Sequence, residues 1–127
     1  MARLRLALVR WGPALVWMAA IFISSATPAT KLPRFGGLDY AVKKGGHFVA
    51  YGILALAYRR ALGTPKSGLI ATWLLAVAYA LLDEFHQSFV PGRHPSLIDA
   101  LIYDGGGAMA ALWIGRMLAR GRQPPVR

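Results

Sequence analysis

An all-α fold of four membrane-spanning helices, with both termini in the cytoplasm, is what this sequence predicts, from its composition, its four long apolar runs and the charges between them. Of 127 residues, 56% are hydrophobic and the mean hydropathy is +0.43, high for a soluble domain of this length. One domain, residues 1–127, accounts for the whole chain. Cysteine is absent, which excludes disulfides, thiolate metal sites and cysteine nucleophiles.

The apolar runs cover approximately residues 11–27, 47–62, 68–88 and 97–118. Each approaches the ~20 residues that cross a bilayer core. The third has no charged residue on any face from Leu69 to Leu82, whereas a soluble surface helix carries a polar stripe. The N-terminus also has the features of a signal peptide: basic Arg3 and Arg5, an apolar stretch, and small Ser24 and Ala26. Cleavage would remove the first helix and leave the sidedness of the rest unchanged. Residues 119–127 read as a basic cytoplasmic tail without fixed structure.

A net charge of +10 is compatible with nucleic-acid binding by number alone, but its distribution excludes that class. The cations form short clusters between apolar runs, with no basic face and no interleaved aromatic platform. Ten of the fifteen lie at the N-terminus (Arg3, Arg5, Arg10), in the second loop (Arg59, Arg60, Lys66) and at the C-terminus (Arg116, Arg120, Arg122, Arg127). The first and third loops hold Lys31, Arg34, Lys43, Lys44 and Arg93. The positive-inside rule therefore puts the termini in the cytoplasm and these two loops outside. All five acids, Asp39, Asp83, Glu84, Asp99 and Asp104, fall in the outer loops or outer helix ends.

An up-down arrangement gathers those ends. Lys44, His47 and Tyr51 share one face of the second helix, and Asp83, His86 and Gln87 one face of the third. Pro91-Gly92 turns the chain and presents Arg93. Ser96 reads as the N-cap of the fourth helix, with Asp99 three residues on, as in a capping box. His94, Lys31, Arg34 and Lys43 read as solvated or interfacial residues. Ionisable groups at this depth are costly unless they pair or serve a site. Two readings stand: a structural ion-pair network, or an anion site in which Arg93 and Lys44 hold phosphate while His47 and a carboxylate exchange protons. Gly107, Ala111 and Gly115 form a small-residue stripe for close helix packing, within the chain or between two copies. Gly105-Gly106-Gly107 beside Asp104 can also loosen the helix.

The set Lys44-x-x-His47-Phe48-x-x-Tyr51-Gly52, then Asp83-Glu84-x-x-Gln87-x-Phe89-Val90-Pro91-Gly92-Arg93, then Ser96-x-x-Asp99 resembles the VanZ-like family of bacterial membrane proteins, over roughly Ser24 to Gly115. The resemblance implies a small multi-helix protein of the cytoplasmic membrane and a link to reduced susceptibility to the glycopeptide teicoplanin. Its shared polar residues fall on Lys44, His47, Tyr51, Asp83, Glu84, Gln87, Arg93 and Asp99. In the family pattern a second acid or Asn follows the first by four. Here that position is Tyr103, and Asp104 comes one residue later, turned by about 100° on a helix, at the margin of the group.

Three functions fit these residues. The first is an enzyme at the outer leaflet acting on a lipid-linked or phosphate-bearing envelope substrate, with Lys44, Tyr51, Gln87 and Arg93 as binding residues and His47, Asp83, Glu84 and Asp99 supplying acid/base chemistry. The second is a non-enzymatic envelope protein that binds a lipid, a glycopeptide or a partner helix. The third is a transporter, for which four helices are few unless two copies pair. The spacings match no metal-ligand or cofactor motif.

Overall fold

The computed structural model describes residues 1–63 and 68–121, and among them the regular structure is all helical, without strands. Lys66 and the tail beyond Gly121 lie outside the described residues. Four helices form: α1 (Ala2–Ala26), α2 (Asp39–Leu62), α3 (Leu69–Gln87) and α4 (Leu97–Arg120). Two single 3₁₀ turns, Ala29–Lys31 and Gly36–Leu38, lead from α1 to α2. The C-terminal ends of α1 and α3 meet the N-terminal ends of α2 and α4, which sets the helices up-down and gathers the five acids at one polar end.

Among the described residues three helices, α1, α3 and α4, are long and apolar enough to cross a membrane, where the apolar runs predicted four. The difference is α2. It starts at Asp39 rather than near His47, because Asp39 sits in its first turn, where the helix dipole favours an acid, and Lys43 closes an i,i+4 pair at 2.6 Å. The added turns are charged, and Arg59 and Arg60 occupy the last, so the uncharged stretch falls short of a full span. Gly63 stops the helix in the left-handed conformation (φ +58°), its N–H donating to the Arg59 and Arg60 carbonyls.

α2 is the centre of the molecule and touches each of the other helices. Its Tyr51, Leu54, Ala55 and Tyr58 form the core with Ala76 and Ala80 of α3 and Ala108 and Leu112 of α4. The closest crossing is α2 on α4. A side chain at Gly107 would run into the Phe48 backbone, and one at Gly52 would meet Gly107 O at 3.2 Å and Ala111 Cβ at 3.3 Å. Gly115 faces Leu56 and Arg59. The small-residue stripe therefore packs within the chain. Elsewhere polar side chains donate to carbonyls of a neighbouring helix: Trp17 to Ala50 (2.8 Å), Trp73 to Gly105 (2.8 Å) and Tyr79 to Met18 (2.7 Å). Such donors need partners where no water is available. Most large apolar side chains of α1 point outward, including Leu8, Val16, Phe22 and Ile23.

Candidate functional site at the polar end

The polar end is joined by two rungs between α2 and α4. Lys44 Nζ reaches Asp99 Oδ2 at 2.6 Å and lies 5.8 Å from the ring centroids of Tyr40 and Tyr103, whose hydroxyls are 3.3 Å apart. One turn deeper, His47 Nδ1 lies 3.1 Å from Asp104 Oδ1. Asp104 is only 2% exposed and belongs at the centre of the group, which corrects its expected place at the margin. On a regular α-helix Asp104 would point about 140° away from Asp99. Residues Ala100–Asp104 instead form one π turn, whose i→i+5 bonds absorb one extra residue and bring both carboxylates to the same face. The irregularity lies just ahead of the three glycines, not in them: α-helical geometry resumes at Gly105.

The α3 carboxylates take other partners. Asp83 Oδ2 accepts from Ser25 Oγ of α1 (2.7 Å) and from Gln87 Nε2 (3.1 Å), and Gln87 also donates to Ser25 (3.1 Å). All three are buried. Asp83 Oδ1 and the hydroxyl of fully buried Tyr51 have no partner among the described residues. Glu84 Oε2 accepts the Ser96 N–H at 2.6 Å, while Ser96 Oγ accepts the Asp99 N–H at 3.2 Å. Ser96 is thus the N-cap that the sequence predicts, but the reciprocal half of the box comes from α3, because the Asp99 side chain is held by Lys44.

Arg93 does not meet a carboxylate. Its Nη2 donates to Ser24 O (2.7 Å) and its Nε to Thr27 O (3.1 Å), closing the C-terminus of α1, where free carbonyls favour a cation. Desolvation lowers the guanidinium from its ordinary value against the pull of Asp83 and Glu84, and it remains a cation. The other cations here, Lys43 and Lys44, are each paired with an acid. His86, expected on the face of Asp83, stacks on Phe22 instead, with centroids 4.3 Å apart.

Two cavities of about 350 Å³ each open beside these groups. One is an apolar slot between α1 and α2, lined by Trp17, Ala20, Ile21, Phe35, Val42 and Ala50. The other is charged and includes Lys44, Glu84, Gln87, His94 and Asp99. Both are lined by Leu32, Lys43, His47 and Arg93. Among the described residues no three His, Asp or Glu side chains gather closely enough to hold a metal ion. Residue types pointed to Lys44, His47, Glu84 and Asp99. Ser25 gave no signal, being a serine in an apolar run, whereas the one-residue offset of Asp104 was the visible trace of the π turn.

Apolar helices long enough to cross a bilayer, closed over a buried polar cluster at one end, define a small helical membrane protein. The VanZ/LLP1 family model matches residues 11–119, and the chain belongs to that family. No curated protein and no solved structure matches the chain.

Proposed function

We propose that the polar end faces out of the bacterial cytoplasmic membrane, with both termini inside, and that its site binds an anionic, lipid-linked cell-envelope substrate and moves a proton on it. The charge asymmetry of the loops supports the orientation, and α2, which buries one face on the other helices and turns Val49, Ile53 and Leu56 outward, crosses as a fourth span whose charged ends lie at the two surfaces. The observation that carries the reading is the meeting of the two cavities at His47 and Arg93. A hydrocarbon chain fits the slot along Trp17 and Ile21, and a phosphate fits the charged side, where Arg93 has donors left beyond those spent on α1. His47, at the junction, is the general base, with Tyr51 packed against its ring.

In this reading Gln87 and Asp83 hold α1 against α3, Glu84 fixes the start of α4, and Lys44 with Asp99 sets the width of the charged cavity. Altered handling of such a substrate at the outer surface is the route by which the chain would reduce susceptibility to teicoplanin-type glycopeptides. The test is hydrolysis of purified long-chain lipid phosphates by the full chain in nanodiscs. Turnover is expected to be lost in His47→Ala and to need more substrate in Arg93→Gln; turnover unchanged by His47→Ala would overturn the enzymatic reading.

A second reading rests on a specific observation: Lys44, Glu84 and Arg93 all have protein partners already, so the cluster holds the helices together without a ligand. The chain is then a binding or accessory protein. It gives no turnover with any substrate, and charge-swapped pairs restore its function.

A further inference from the structure

We infer that Asp104 is a positioning residue that fixes the His47 ring with its proton on Nδ1, so that Nε2 is the basic nitrogen, and that the π turn of α4 delivers the carboxylate. This rests on the reading of His47 as the base, but the arrangement of the ring can be tested without any substrate.

Three observations converge. Asp104 Oδ1 is 3.1 Å from Nδ1 and belongs to a side chain almost wholly removed from solvent, and in its ionised form a carboxylate can only accept, from the ring N–H. His47 Nε2 has no partner among the described residues and is not among the buried, unpartnered atoms, and the ring lines both cavities, so its second nitrogen is the one left to face them. The Tyr51 ring lies alongside in an offset, near-parallel arrangement, with centroids 6.2 Å apart and planes 22° from parallel. A carboxylate on Nδ1 holds the ring orientation and stabilises the imidazolium that forms when Nε2 takes up a proton. The proton from a substrate hydroxyl or water goes to Nε2, and Asp104 stays ionised.

The π turn makes this possible in a helix where the acid is five residues from Asp99 instead of four. Removing one exposed residue of that turn, Ile102 (59% exposed), returns the segment to α-helical spacing with the same carboxylate on the same face.

Nitrogen-15 spectra of the histidine rings test this in the full chain in detergent micelles, at a pH where the rings are neutral, with His47 identified by loss of its signals in His47→Gln. The native ring is expected to carry its proton on Nδ1. Asp104→Asn is expected to move it to Nε2, because the amide offers Nδ1 a donor, while Asp99→Asn leaves it on Nδ1. Deletion of Ile102 is expected to preserve the native tautomer. A native ring protonated on Nε2, or an Nδ1 proton that survives Asp104→Asn, overturns the positioning role, and loss of the native tautomer on deleting Ile102 overturns the account of the π turn. A ring that behaves as expected in a chain without turnover leaves the positioning intact and removes the enzymatic reading, so the two fail separately.

Discussion

Glu84 and Ser96 are joined across the bend between α3 and α4: Oε2 accepts the Ser96 N–H at 2.6 Å, which makes a side chain of one helix the cap of the next. Glu84 is buried and Ser96 half-buried, so the bond counts for more than a fully exposed cap. Glu84→Ala is expected to destabilise the chain by about 1.5–3 kcal/mol, with Glu84→Gln, which keeps an acceptor, well below that. Denaturant unfolding in micelles, followed by tryptophan fluorescence, reads the difference.

The Lys44–Asp99 rung predicts a reciprocal rescue. Each side chain is about one fifth exposed, so the pair is partly screened and its loss costs about 1–3 kcal/mol rather than the ~3–5 of a sealed ion pair. Lys44→Asp and Asp99→Lys are each expected to lower stability, and the double variant to recover at least half of the loss. Arg93 is not the partner to swap with Asp99, because its donors go to carbonyls of α1. A thermal-melting double-mutant cycle shows the coupling as a departure from additivity.

Two adjacent glycines are expected to behave oppositely. A methyl group at Gly107 overlaps the Phe48 backbone, which cannot swing aside, whereas at Gly106 it meets only the Phe48 ring at 3.7 Å. Gly107→Ala should therefore part α2 from α4 and cost about 1–3 kcal/mol or more. Gly106→Ala should be neutral or stabilising by about 0.5–1 kcal/mol through helix propensity. Unfolding midpoints of the two variants check the contrast.

Much of the polar end was legible because ionisable residues are rare in apolar sequence, so Lys44, His47, Asp83, Glu84 and Asp99 stood out by type and by helical spacing. Their pairing was not legible. Spacing assumes a uniform α-helix, and the single π turn at Ala100–Asp104 rotated Asp104 onto His47 while Asp99 went to Lys44. The contact of Arg93 with α1 was hidden because the free carbonyls at the end of α1 that attract it are backbone groups and leave no sequence signal. The early start of α2 was hidden for a related reason: Asp39, Lys43 and Lys44 look like loop charges, yet Lys43 pairs one turn back along the helix and Lys44 pairs across to α4.

Filling the apolar slot separates the chain of a substrate from its head group. Ala20 lines the slot on α1, and Ala20→Trp fills part of it with an indole while leaving the Arg93 and His47 side chains in the sequence. Turnover of long-chain lipid phosphates is expected to fall at least about tenfold, equivalent to ~1.4 kcal/mol, while the melting temperature stays within a few degrees of the native value. Initial rates at a fixed low substrate concentration show it.

The central claim is that one site takes both an anionic head group and a hydrocarbon chain, and equilibrium binding of a long-chain alkyl phosphate beside inorganic phosphate, to the full chain in nanodiscs, tests it most directly. The alkyl phosphate should bind at least about tenfold more tightly than its head group alone, and Arg93→Gln should weaken it by about 10- to 100-fold, the ~1.5–3 kcal/mol of a charged hydrogen bond. Equal affinities for the two ligands, or an alkyl phosphate bound as tightly by Arg93→Gln as by the native chain, would contradict it.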